Sequence, residues 1–356
     1  MENKIEEGIR IGTFNIRRDT LLDGPYDLWK QRKKTCYEII ETFDIVAVQD
    51  ANKNQLNDII EHLQIKDVID NSEDETNEKK KLIEKKIYYE SSTGEDDGEY
   101  LGIIYNTNKF ECIDQGKFWL SEERMFPSKS WEATRERHVI WCKLKVKQNK
   151  DQEEEEEKTI DQIARTEFFI FTTHLDESER SRRMASITIR EMMDKMLMTT
   201  WEEHEMDEIP IAFFVMGDFN CTNTSIVYDY FLKGHSPNET RKQRGSFHSN
   251  EGETDSDSDE DEDIDMIDTR TDYRTPTFTG YSEPKYNMDA STFRDCILPK
   301  TISGPRGTSE GTSTDFILVT KRAPIKLHEC EVVETLTPEK RFPSTHRPIA
   351  LTFSFK

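Results

Sequence analysis

The sequence predicts an α/β protein built on mixed or antiparallel sheets with helices on their outer faces. Three observations carry this. Eight short apolar runs, rich in Ile, Val and Phe, recur along the 356 residues. Helical patterns separate only some of them. Between residues 100 and 146 strand-like runs follow one another without a helix, which argues against the strict alternation of a doubly wound parallel sheet.

The first run, IRIGTFNI (9–16), carries Asn15 near its end. It leads into DLWKQRKKTCYEIIETF (27–43), where Trp29, Cys36, Ile39, Ile40 and Phe43 recur near one helical face. DIVAVQD (44–50) is the second strand and ends in Gln49 and Asp50. EKKKLIEKK (78–86) reads as a solvated helix face. YLGIIYN (100–106), VIWCKLKV (139–146) and EFFIFTTHLD (167–176) are strands, the last ending in His174 and Asp176. SRRMASITIREMMDKMLMTTWEEH (181–204) reads as a helix with Met184, Ile187, Met192, Met196 and Met198 toward the core. IAFFVMGDFN (211–220) runs into Asp218 and Asn220. TDFILVT (314–320) opens on Asp315, and FPSTHRP (342–348) brings His346 just ahead of the final strand, PIALTFSF (348–355). Residues 233–314 offer no periodicity on which to place elements.

The net charge of -23 is concentrated. Five glutamates fill 153–157, and eleven acids with no Lys or Arg fill 246–268; without these sixteen the remainder carries only -7. The boundaries expected are a single domain over 1–356, interrupted by an acidic loop insert at 151–158 and an acidic disordered insert at 246–272. Six scattered cysteines without a CxxC pair suit a reducing compartment. The N-terminal residues contain no apolar segment of the signal-peptide kind, and no apolar run reaches membrane-spanning length. An intracellular protein, cytoplasmic or nuclear, is expected. No glycine-rich phosphate loop is present, which argues against a nucleotide-fuelled enzyme.

The polar strand ends carry the chemistry. Alone, an Asp or Asn after a strand is a turn residue. Together, Asn15, Asp50, His174, Asp218, Asn220, Asp315 and His346 are parts for metal-assisted hydrolysis of a phosphate ester. Carboxylates and amides offer oxygen to a hard cation such as Mg2+. Histidines can donate protons or hydrogen bonds to phosphate, and an acid beside a histidine orients its ring. A strand end holds such groups in place, as proximity catalysis requires.

In this order the motifs are recognisable. TFNIRRD, GEYLGIIYNTNKFE, GKFWLSE, RHVIWCKLK, THLD, GDFN and the ending S-x-H-R-P resemble the endonuclease/exonuclease/phosphatase superfamily, which includes DNase I-like nucleases, deadenylases and inositol polyphosphate 5-phosphatases. The wording is most similar to a mainly bacterial, uncharacterised subgroup. The resemblance implies a four-layer α/β sandwich: two packed mixed β-sheets flanked by helices, with the site at one end. It also implies roles. Asn15 and Asp50 would lie at a Mg2+ or Mn2+ ion, and Glu99 would orient His174. Arg137, Asn220 and His174 would bind the substrate phosphate. Asp218 would position or deprotonate the attacking water, and Asp315 would pair with His346.

Two positions depart from the family pattern. Asp50 stands where glutamate is usual, which draws the carboxylate back by about 1.5 Å. Thr345 stands where an aspartate usually precedes the histidine, replacing a carboxylate by a neutral hydroxyl. Two hypotheses follow. One is a divalent-metal-dependent phosphodiesterase or nuclease with a weakened metal site. The other is a pseudoenzyme that holds a phosphorylated ligand or a protein partner. The body lacks the basic footprint of a nucleic-acid binder. Short nucleic acid, inositol phosphates, lipid head groups and small phosphodiesters all stay open as substrates, and a monomer is expected. Arg180, Arg182 and Arg183 are candidates for a basic lip.

Overall fold

A computed structural model describes residues 8–20, 23–69, 84–147, 160–204, 210–233, 266–268 and 313–356. Twelve strands form two six-stranded sheets among these residues. The first sheet has the order β11(Ile325–Val332), β12(Ile349–Phe355), β1(Ile9–Asn15), β2(Ile45–Ala51), β4(Tyr100–Asn106), β3(Lys85–Ser91). The second runs β5(Phe110–Trp119), β6(His138–Val146), β7(Glu167–His174), β8(Ala212–Asp218), β10(Asp315–Thr320), β9(Met266–Asp268). Each sheet has one parallel pair, β1 with β2 and β7 with β8, among antiparallel neighbours.

Period-two alternation explains why the strands read as continuous apolar runs: both faces of each sheet are covered. In β7, Phe168 and Ile170 enter the core between the sheets, while Phe169 and Phe171 face the outer helices. In β2, Ile45 and Ala47 face inward, and Val46 and Val48 pack outward with α1(Trp29–Glu41) and α2(Lys53–Ile69). The outer face of the second sheet is covered by α3(Ile160–Thr166), α4(Glu179–Glu203) and α5(Ile226–Lys233). The layers are helix, sheet, sheet, helix, as the resemblance implies.

Three expectations change. The buried stripe of α4 is Ala185, Ile189 and Met193 at i, i+4 spacing, whereas Met184 and Ile187 are half-buried and Met198 is exposed. Lys85 and Lys86 open strand β3 and are not a helix face; residues 78–83 lie outside the described ones. Lys85 instead caps α1, its Nζ donating to the carbonyls of Ile40 at 2.8 Å and Phe43 at 2.8 Å. The insert at 151–158 lies outside the described residues, as does 246–272 apart from β9, a short edge strand on β10.

Candidate functional site

The strand directions bring the predicted residues to one end of the sandwich. Asn15 and Asp50 lie at or near the C-terminal ends of the parallel strands β1 and β2, and Glu99 precedes the antiparallel strand β4. In the second sheet, His174 stands opposite Asp218, and Asp218 opposite Asp315, as cross-strand neighbours. His346 arrives from the segment before β12. The two sheets meet where Asn15 Nδ2 donates to Asp218 Oδ2 at 3.0 Å.

The glycine of GDFN has a specific task. Gly217 has φ +146, and a Cβ placed there would lie 1.9 Å from the carbonyl oxygen of Thr173, its partner on β7. Only glycine tolerates both the backbone and the approach that sets His174 beside Asp218. Gly217→Ala is expected to cost about 3 kcal/mol or more, read as a lowered urea midpoint; an unchanged midpoint would sink this account. Asp50 and Asn220 also hold left-handed backbones, with φ of 52 and 49. Short Asp and Asn side chains accept that conformation better than most residues. Aspartate thus suits the bulge at which β2 delivers residue 50.

Two buried histidines share one carboxylate. His174 Nδ1 donates to Glu99 Oε1 at 2.5 Å, and its Nε2 lies 3.4 Å from Asp218 Oδ2. His346 Nδ1 donates to Asp315 Oδ2 at 2.9 Å, and its Nε2 lies 3.5 Å from the same Asp218 oxygen. Burial alone would strip these rings of their proton. For His346 the charges of Asp315 and Asp218 outweigh it and lift the pKa to about 9. For His174 burial is likewise overcome, mainly by Glu99, and its pKa is also raised. Asp218 feels the converse: burial favours its neutral form, but His346 and His174 hold its pKa down. The charges that raise both histidines and lower Asp218 favour a protonated ring on each side of the carboxylate.

Arg137 sits behind this centre. Its guanidinium is 4% exposed, with Nη1 donating to Glu99 Oε2 at 2.6 Å and Nε 3.8 Å from Asp176. The guanidinium that the resemblance aims at phosphate is here engaged with carboxylates. Glu99 is pushed up by burial, but His174 and Arg137 pull its pKa well below the carboxylate range. Asn220 joins the site through its backbone N–H, which donates to Asp218 Oδ1 at 2.9 Å, and through Nδ2, which donates to the Leu175 carbonyl at 2.8 Å.

Asp50 is the most open of the acids, its side chain 24% exposed. One oxygen of Asp50, one of Glu99 and one nitrogen of His174 lie within 4.8 Å of one another, as do atoms of Asp218, Asp315 and His346. Burial, and then the neighbouring charge of Glu99, raise the Asp50 pKa. A partly open carboxylate pressed by another carboxylate fits a hard divalent cation; Asn15, at the adjoining strand end, has its amide oxygen accepting from the Arg17 N–H at 3.0 Å. Thr345 is buried beside His346 and adds no charge.

Two residues that the sequence marks only as strand ends have structural tasks. Gln49 bridges the sheets, accepting from Thr13 Oγ1 at 3.2 Å and donating to Thr172 Oγ1 at 2.9 Å. Asp176, noted only as a strand end, accepts from Thr134 Oγ1 at 2.8 Å and from the N–H of Ser178 at 2.9 Å, anchoring the loop before β6 and the start of α4. The basic lip does not form as expected. Arg180 pairs with Glu132 at 2.9 Å, Arg182 donates to the Asp176 and Glu177 carbonyls, and Arg183 stacks over the Tyr230 ring at 4.8 Å.

No family model matches the sequence, and no curated protein matches it. Solved structures do match in fold. An endonuclease/exonuclease/phosphatase family protein from Bacteroides thetaiotaomicron superposes with a TM-score of 0.62 at 19% identity, covering 98% of this chain and 96% of that one. The mannosyl-6-phosphatase of the same organism gives 0.60 at 20% identity, covering 98% and 100%. The human Nocturnin catalytic domain with a bound sulfate anion gives 0.53 at 15%, covering 98% and 95%. The chain has the endonuclease/exonuclease/phosphatase fold, the DNase I-like sandwich.

Proposed function

We propose that this protein is a divalent-metal-dependent phosphoric ester hydrolase, a phosphodiesterase or nuclease in its most direct reading, acting as a single domain over 1–356. The observation that carries the proposal is the Asp218 carboxylate held between two imidazole rings, 3.4 Å from His174 and 3.5 Å from His346. Such a centre meets both demands of phosphoryl transfer: cationic donors for the charged oxygens, and a fixed acceptor for water. The fold is shared with a mannosyl-6-phosphatase and with a domain that binds sulfate.

Each ring has its Nδ1–H committed to Glu99 or Asp315, so the Nε2–H turned toward Asp218 is the donor a bound phosphate would meet. Two Nε2–H donors then stabilise charge that builds on the phosphoryl oxygens. Asp218, with a depressed pKa, is a weak base. Its part is to accept a hydrogen bond from the attacking water and hold it in line. Asn220 binds a phosphate oxygen through its remaining amide N–H. Arg137 acts behind the site by fixing Glu99, which in turn fixes His174. Asn15 and Asp50 would hold Mg2+ or Mn2+, whose charge, when the ion is bound, polarises the phosphoryl group.

The test is hydrolysis of bis(p-nitrophenyl) phosphate, p-nitrophenyl phosphate, mannose 6-phosphate and a labelled oligonucleotide, each with Mg2+, Mn2+, Ca2+ or EDTA. Turnover that needs a metal and is lost in His174→Ala is expected. No turnover above that variant with any metal would overturn the hydrolase reading. Thr345→Asp restores the missing charge and is expected to tighten Mg2+ by about tenfold, read as the metal concentration for half-maximal rate. An unchanged or weaker requirement would show that Thr345 is not a deficit of the metal site.

A further inference from the structure

Arg32, on α1, is the largest of the fully buried side chains, 1% exposed. A guanidinium keeps its charge in such a place and must satisfy a planar fork of donors. It does so on backbone carbonyls from three segments. Nε donates to Asp27 O at 2.9 Å, Nη2 to Arg17 O at 2.6 Å, and Nη1 both to Ile16 O and to Pro343 O at 3.2 Å. Trp29 covers its face, 5.1 Å from ring centre to guanidinium carbon.

The identity of those carbonyls matters. Ile16 and Arg17 directly follow Asn15. Pro343 directly precedes Ser344, Thr345 and His346. Ser344 adds a second tie, its Oγ donating to Asn15 O at 2.6 Å and accepting from the His346 N–H at 3.2 Å. Asn15 Nδ2 and His346 Nε2 converge on one oxygen, Asp218 Oδ2. We propose that Arg32 is a positioning residue that sets Asn15 and His346 in register with each other on Asp218. His174 Nδ1 is held by Glu99, which Arg137 holds in turn, and none of the carbonyls that Arg32 grips adjoins it; His174 meets this group only through Asp218 Oδ2, 3.4 Å from its Nε2. The consequence for turnover rests on the hydrolase reading; the positioning itself does not.

The experiment is Arg32→Lys in the full chain, with 15N-labelled histidine, compared with wild type. A lysine places its donors at one point and cannot span the three segments. The expected result is an altered resonance for the His346 Nδ1 proton, with the His174 Nδ1 proton unmoved and the far-UV spectrum retained. If wild type turns over substrate, kcat is expected to fall between about tenfold and a hundredfold, with KM within threefold. A His346 resonance that stays in place, or His174 and His346 resonances that move together, would overturn the proposal. Should Arg32→Lys fail to fold, Ser344→Ala decides. With Arg32 still gripping Pro343, the His346 proton should keep its downfield position, and its loss there would assign the register to Ser344 instead. A wild type without turnover would sink the hydrolase reading while leaving the resonance comparison intact.

Discussion

Asp218→Asn is expected to lower kcat/KM by about 10³ and to move its alkaline limit downward. The carboxylate is the shared counter-ion of both histidines, and an amide cannot hold two imidazoliums beside it. The sign follows from the raised histidines. In wild type the cationic form of His346 persists up to pH about 9 and is lost above it. The rate should therefore be level through neutrality and fall as pH rises through that value. In the variant Asp315 still supports His346, but one of its two principal stabilising charges is gone, so the fall begins at lower pH. Profiles of kcat/KM between pH 6 and 10 on bis(p-nitrophenyl) phosphate measure this, since they report the free enzyme. A wild-type profile that climbs through pH 9 would mean that a neutral histidine does the work.

Arg137→Ala is expected to destabilise the fold by roughly 3–5 kcal/mol, the cost of leaving a buried charge unpaired. Glu99 and Asp176 are both buried and both turned toward this guanidinium. That loss is a large part of the 5–15 kcal/mol typical of a folded domain. Arg124→Ala is the control: its 2.6 Å pair with Glu191 is exposed, at 38% and 42%, and should shift stability by less than about 1 kcal/mol. Urea midpoints of the two variants make the comparison. Similar small shifts in both would show that the Glu99 carboxylate is not sustained by Arg137, and the role assigned to it behind His174 would fall.

The sequence by itself determined the interior of the sheets. The eight apolar runs are β1, β2, β4, β6, β7, β8, β10 and β12, each paired on both sides and covered on both faces. Double coverage demands unbroken apolar residues, and an unbroken run is visible in one dimension. The four strands without such a run, β3, β5, β9 and β11, are the four sheet edges. In β5 and β11 half or more of the residues face solvent at least in part, so no unbroken apolar run marks them in the sequence.

The site divides in the same way. Residue type and position at a strand end were legible for Asn15, Asp50, His174, Asp218, Asn220, Asp315 and His346, because hydrolytic chemistry needs unusual residues at rigid ends. The contacts of Glu99 with His174 and of Asp315 with His346 are those the resemblance implies, whereas the meeting of both rings and Asn15 on Asp218 was decided by tertiary structure. Asp218 meets Asn15 across 203 positions of sequence, and Arg137 turns to Glu99 and Asp176 because a buried guanidinium must find acceptors, which here are carboxylates. Arg32 shows the limit most clearly. Within KQRKK it is one cation among four, and only packing puts that one among carbonyls while Lys33 reaches Asp58 nearer the surface. A chain's pattern records which side chains avoid water; which charge answers which depends on segments that meet only after folding.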